Sequence, residues 1–276
     1  MTNLQSIAEH WGTGDVFSRI LEAMSAASIS AESLTVEKLA PIDHFHARGF
    51  AATKELADIL PIKAGDRIID IGCGIGGPAR YLAERFGCRV DGIDITQPFV
   101  DAGNKLSALV NLQELVRIEL GDGQSLPYAG QAFDGGYALH ATMNIPDRDR
   151  FFAEAFRVLK PGAFFALTEH GLGEGGHPHH PVPWSDDGSG AFLMRPADTV
   201  ACLERAGFGN IEVTDTGKDY LEGYRRVMEL ARQGELPAFG THVLLGEKAP
   251  DKIRNAARNI EEGRTHPIRV ICRRKI

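Results

Sequence analysis

From residue 50 onward, apolar runs of strand length alternate with stretches whose apolar residues recur every three or four positions. The runs 67–71, 89–95, 116–120, 134–139, 163–169, 210–215 and 268–273 predict strands. The stretches 78–86, 97–109, 148–159 and 197–206 predict helices, with Gly87 and Gly207 as C-terminal stops. This alternation predicts an α/β fold, a doubly wound, seven-stranded and mostly parallel sheet. Residues 1–45, 171–196 and 217–264 fall outside the alternation. Ligands of such sheets bind beyond the C-terminal strand ends, where insertions roof the site. The chain, 1–276, is therefore expected to be a single domain. Its parts are an N-terminal cap (1–45), a ligand-binding core (46–170), an active-site loop (171–196) and a helical lid insertion (217–264).

A chain of 276 residues with 43% hydrophobic content carries one large core and an appendage. Its net charge of −7 disfavours nucleic acid and anionic membrane surfaces and leaves a small-molecule partner. Homo-oligomerisation stays open. The basic cluster from Arg269 to Lys275 interleaves with Val270 and Ile271 and reads as a charged edge strand. Cys73, Cys88, Cys202 and Cys272 show no paired spacing, which points to free thiols in a reducing compartment. Glu9, Asp15 and Glu22 interrupt the first thirty residues, so the expectation is a cytoplasmic protein.

The first strand ends on a carboxylate and breaks into glycines: Asp70-Ile71-Gly72-Cys73-Gly74-Ile75-Gly76-Gly77. Glycines let the backbone turn tightly after a parallel strand and approach a ligand closely, and the pattern G-x-G-x-x-G is shared by dinucleotide sites. Asp70 discriminates. A carboxylate at the lip of the strand repels a pyrophosphate but attracts an ammonium, and S-adenosylmethionine brings both an ammonium and a sulfonium without any phosphate. Asp94 closes the next apolar run, roughly 20 residues past the turn, where an acid meets ribose hydroxyls.

In this order of motifs the chain resembles the class I S-adenosylmethionine-dependent methyltransferases, which have a Rossmann-like fold. The turn with Asp70, Gly72, Cys73 and Gly74 resembles their first motif, and Asp94, followed by Ile95, their second-strand acid. Gly121-Asp122-Gly123-Gln124 is similar to the segment flanking the adenine ring, and the run 133–140, ending Leu139-His140, to the fourth strand and its lip. The segment 43–56, with His46, Arg48 and Gly49, resembles the stretch over the methionine end of the cofactor in the sarcosine/dimethylglycine and phosphoethanolamine branch. The resemblance implies S-adenosylmethionine as cofactor, held by these residues together with His140.

Methyl transfer requires the acceptor lone pair to be held behind an activated carbon with water excluded. A hydroxyl acceptor needs a base, whereas an amine or thiolate does not once it has lost its proton. The branch resembled has an acid followed by histidines after the fourth strand; here the acid's position holds His140, and Met143 and Asn144 stand where the histidines would be. The catalytic candidates are His140, as base or cofactor ligand, Asn144, as an acceptor-orienting amide, and Glu169 and His170 at the end of the fifth strand. Trp184 is a candidate stacking surface, and Phe192 and Met194 an apolar wall. The histidines of 170–180 lack the spacing of a ligand pair, and no metal is expected.

The resulting expectation is methylation of a small soluble acceptor, an amine or amino-acid-like compound first. The alternatives are an O-, C- or S-methyltransferase using His140 as base, an NAD-type oxidoreductase sharing the glycine loop, and a binding protein without catalysis.

Overall fold

Ile68, Ile69 and Ile71 send side chains to both faces of β1 (Arg67–Ile71), which places this strand inside the sheet. The computed structural model describes residues 3–12 and 14–276. On either side of β1 lie β2 (Arg89–Asp94) and β4 (Phe133–Leu139), both parallel to it. Outside them come β3 (Val116–Leu120) and β5 (Leu159–Leu172), also parallel to their inner neighbours. β7 (Thr265–Arg274) pairs antiparallel with both β5 and β6 (Phe208–Asp215), which gives the order β3-β2-β1-β4-β5-β7-β6.

The sheet thus has the expected α/β architecture, with one correction. The segment 268–273 is not an edge strand: β7 lies between β5 and β6, and β6 takes the edge with Glu212, Val213, Thr214 and Asp215 exposed. Alternating apolar and charged residues report that one face of a strand is covered. They carry no information about its hydrogen-bonded neighbours.

Helices cover both faces. α5 (Gly77–Phe86) and α6 (Gln97–Leu109) start with proline in the first turn, and α5 stops at Gly87, whose φ is 65°. α7 (Arg148–Val158) is capped by Asp147, which accepts from the Arg150 amide at 2.9 Å, and α8 (Pro196–Ala206) ends at Gly207. Phe151, Phe152, Phe165 and Phe208 fill one face, and Ile68, Leu82, Val90 and Tyr137 fill the other.

The N-terminal segment is helical. α1 (Asn3–Trp11), α2 (Val16–Ala26), α3 (Val36–Asp43) and α4 (Gly49–Ile59) precede β1, and Ile20, Met24, Leu39 and Ile42 pack on Ile75, Phe99 and Leu106. At the end of α3, Asp43 takes a two-pronged ion pair from Arg80 of α5, with both side chains fully buried. Arg80 also donates to the Gly103 carbonyl and Ser107 Oγ, so few of its donors are left unmet. The insertion 217–264 contains α9 (Gly217–Gln233), α10 (His242–Leu245) and α11 (Ala249–Glu261). No helix among the described residues is long and apolar enough to cross a membrane.

Candidate active site

The C-terminal ends of β1, β2, β4 and β5, the N-terminal helices and the 217–264 insertion enclose a cavity of about 660 Å³. That is the size of a small-molecule site. One end is built on the glycine turn after β1. Gly72 has a φ of +79°, and a Cβ there would fall 2.2 Å from Ala141 Cβ, so only glycine passes the strand end. The amides of Gly72 and Cys73 donate to the Ile93 carbonyl at 2.7 and 3.1 Å, Gly74 N–H to Asp94 Oδ2 at 2.8 Å, and Gly76 N–H to the Cys73 carbonyl at 2.9 Å. A phosphate cradle is made of free N–H groups. Here four candidates, at 72, 73, 74 and 76, are already spent inside the protein.

Asp70, 1% exposed, lines this end of the cavity, and its Oδ2 has no protein partner among the described residues. Burial pushes its pKa up to about 8, opposed by the Tyr137 hydroxyl and assisted by Asp94. A buried carboxyl with an unmet oxygen is a place for a cation or a donor. Asp94 accepts from Gly74 and, through Oδ1, from the Thr96 amide at 2.9 Å, and each oxygen keeps a second lone pair. Burial raises its pKa, while those amides oppose the rise. Gly49, Ile95, Gly121, Asp122, Gly123 and Leu139 line the same cavity. Gln124 does not: it donates to Asp122 Oδ1 at 3.1 Å and accepts from the Asp147 amide, fixing Asp122 from behind.

The other end is a cluster of imidazoles and phenols. His140, at the end of β4 with a φ of +54°, stacks on His46 at 5.5 Å and pairs its Nε2 with the Tyr220 hydroxyl at 2.9 Å. His170 on β5 pairs its Nε2 with the Tyr224 hydroxyl at 3.1 Å and stacks on Trp184 at 4.5 Å. Its Nδ1 and the Trp184 Nε1 are both buried without a protein partner among the described residues. Burial lowers the pKa of His170 to about 3 and of His46 to about 4, and it drives His140 well below its ordinary value with His46 and His170 assisting. These rings are neutral and keep one nitrogen lone pair each.

Two catalytic candidates are engaged elsewhere. Glu169, fully buried, pairs with Arg148 at 2.8 Å and accepts from Thr142 and Thr199 at 2.6 Å each, and it does not line the cavity. Neighbouring residues of a strand point to opposite faces, so His170 and Glu169 could not both reach the site. Asn144 does border the cavity, but its amide is spent. It donates to the Trp184 and Gly190 carbonyls at 2.9 and 2.8 Å and accepts from Trp11 Nε1 at 3.3 Å, which clamps the loop after β5. Phe192 and Met194 lie outside the lining: Phe192 donates its amide to the Met143 carbonyl, and Met194 packs on the sheet core.

Arg48 pairs with Glu55 at the start of α4. His179 and His180 bond to Glu262 and the Ser185 carbonyl, and no group of three metal-ligating side chains occurs among the described residues. Sequence reasoning missed Tyr220 and Tyr224. Their four-residue spacing puts both on one face of α9, a signal readable only once that helix is known to cover the strand ends.

Residues 69–167, from β1 into β5, match the family described as a methyltransferase domain. A sterol 24-C-methyltransferase from Schizosaccharomyces pombe is 31% identical over 58% of this chain and 44% of its own length. The 27-O-demethylrifamycin SV methyltransferase of Amycolatopsis mediterranei is 39% identical over 42% of this chain and 43% of its own. The chain thus spans less than half the length of these relatives. A Haemonchus contortus phosphoethanolamine N-methyltransferase, solved with its phosphomonomethylethanolamine and S-adenosylhomocysteine, superposes with a TM-score of 0.72 at 19% identity, covering 96% of this chain and 61% of that one. The segment 69–167 thus carries a methyltransferase domain.

Proposed function

We propose that this chain moves a methyl group from S-adenosylmethionine to a hydroxyl of a small molecule, and that His170 takes the hydroxyl proton. The observation that carries the reading is one cavity lined by both Asp70 and His170, each with a buried side-chain atom, Oδ2 and Nδ1, that has no protein partner among the described residues. The residues fit the cofactor: Asp70 suits its ammonium, Asp94 its ribose hydroxyls and Asp122 its adenine amino group. The spent amides of Gly72, Cys73, Gly74 and Gly76 withdraw four donors that a dinucleotide's phosphates would need. When bound, this group supplies a methyl carbon on a positive sulfur.

The protein's own task is to orient and to manage one proton. The hydroxyl proton passes to His170 Nδ1 as the oxygen bonds the methyl carbon and becomes strongly acidic, which is when an imidazole with a pKa of about 3 can accept it; the charged ring then donates from Nε2 to the Tyr224 oxygen. Trp184 covers the imidazole and keeps water from it. His140, with Nε2 held by Tyr220, orients rather than reacts. The expectation of an amine rests on Met143 and Asn144 offering no base and on the resemblance to the sarcosine/dimethylglycine branch. A lone pair on His170, from β5, supports a hydroxyl acceptor instead.

The test is a side-by-side assay of phenols, alcohols, amines and thiols, read as S-adenosylhomocysteine formed. Hydroxyl acceptors are expected to turn over, and His170→Ala is expected to lower kcat by about 10²–10⁴-fold without changing cofactor affinity. Turnover of amines alone, or an undiminished His170→Ala enzyme, contradicts the reading.

A further inference from the structure

Resting on that reading, we propose that the acceptor is an uncharged, mainly hydrocarbon molecule with its hydroxyl at one end, its body lying in an apolar channel walled by the 217–264 insertion. Val227 and Leu230 of α9, Leu245 of α10 and Ile253 of α11 line the cavity, joined by Leu236 and Pro237 from the connection between α9 and α10. Leu236 is 41% exposed, a large and partly exposed apolar side chain at the cavity wall. Ile7 of α1, Phe50 of α4 and Phe45 from the connection between α3 and α4 line the same space.

The charged residues bordering the cavity are accounted for without the acceptor. Asp70, Asp94 and Asp122 stand at the glycine-turn end, Asp43 and Arg48 are paired within the protein, and Glu37 and Arg226 are exposed. Around His170 only neutral groups remain. A zwitterion or phosphate brought there would lose its hydration with no partner of opposite charge, a cost that a hydrocarbon chain avoids. The unpartnered polar groups of the lining away from Asp70 are Trp184 Nε1, His170 Nδ1 and His44 Nε2. The first two together meet one hydroxyl, one as donor and the other as acceptor.

The chain has two tryptophans, Trp11 and Trp184, and both line this cavity, so their emission reports its filling. Hexylphenol, sarcosine and phosphoethanolamine are each titrated into protein saturated with S-adenosylhomocysteine while tryptophan fluorescence is followed. Hexylphenol is expected to quench saturably and to bind at least about 100-fold more tightly than either charged compound, a gap of about 2.7 kcal/mol. Leu230→Arg and Leu245→Glu are each expected to weaken hexylphenol at least tenfold while S-adenosylhomocysteine affinity stays unchanged, which also reports that the variants fold. Tighter binding of sarcosine or phosphoethanolamine, absence of hexylphenol binding, or indifference of hexylphenol to both variants overturns the inference. Failure of S-adenosylhomocysteine itself to bind overturns the underlying reading instead.

Discussion

The Gly74 amide donates to Asp94 Oδ2 at 2.8 Å, tying the glycine turn after β1 to the end of β2. The acid expected to meet the ribose is therefore also the clamp that shapes the turn. Its two duties separate by substitution. Asp94→Asn keeps an oxygen for Gly74 but sets its NH2 against the Thr96 amide and loses the charge, and it is expected to weaken S-adenosylhomocysteine by about tenfold and to cost roughly 1 kcal/mol of stability. Asp94→Ala leaves the buried Gly74 and Thr96 amides without acceptors and is expected to cost about 1–3 kcal/mol of stability as well. Calorimetric binding and thermal melts of the two variants check this.

Asp70 is expected to trade stability for binding. Its folded pKa of about 8 lies above its ordinary value of 3.8, so the native state holds the extra proton and stability contributed by this group declines as pH rises between those values. Asp70→Asn removes the buried ionisation and is expected to raise Tm by a few degrees in mildly alkaline buffer while weakening S-adenosylhomocysteine at least tenfold. A melt and a titration of the same variant give both numbers.

The histidine cluster makes acid destabilising. The pKa of His46 falls to about 4 and that of His170 to about 3, with His140 lowered in the same direction, all below the ordinary 6.5. The unfolded chain binds protons first as pH drops. The stability these rings contribute is complete above 6.5 and is lost below it, at up to about 1.4 kcal/mol per pH unit for each ring. Urea unfolding across that range is expected to show the slope, and His46→Gln to reduce it by one proton.

Asn144 is expected to act on the acceptor through the loop after β5. Asn144→Ala removes the clamp on Trp184 and Gly190 and is expected to raise acceptor KM more than it lowers kcat, with cofactor affinity unchanged. Steady-state kinetics with a hydroxyl acceptor distinguish this from direct contact with the reacting group, which lowers kcat first.

The sheet was legible because its strands carry a signal of their own. The buried isoleucines of β1, the acid and glycines after it, and the proline and glycine punctuation of α5 and α6 are local features. The N-terminal helices were not assigned as elements, since their apolar faces make sense only against Phe99 and Leu106 of α6. The position of β7 was hidden for the same reason, because pairing is a tertiary fact. In the site, the glycine turn and the acids at 70 and 94 were readable from spacing, and Asp122 only from the family resemblance. The division between His170, which faces the cavity, and Glu169, buried with Arg148, follows from strand alternation and needed only the correct face. Tyr220 and Tyr224 could not be placed until the insertion was seen to lie over the strand ends.

The central claim is that the glycine turn receives a cation-bearing, phosphate-free ligand through Asp70. Isothermal titration of S-adenosylhomocysteine and of NAD in buffers of different ionisation enthalpy measures it directly. The account predicts that S-adenosylhomocysteine binds near neutral pH with release of close to one proton, as Asp70 ionises against the ammonium, and that NAD gives no binding heat. Binding of NAD in place of S-adenosylhomocysteine, or S-adenosylhomocysteine binding that neither releases a proton nor weakens in Asp70→Asn, would contradict it.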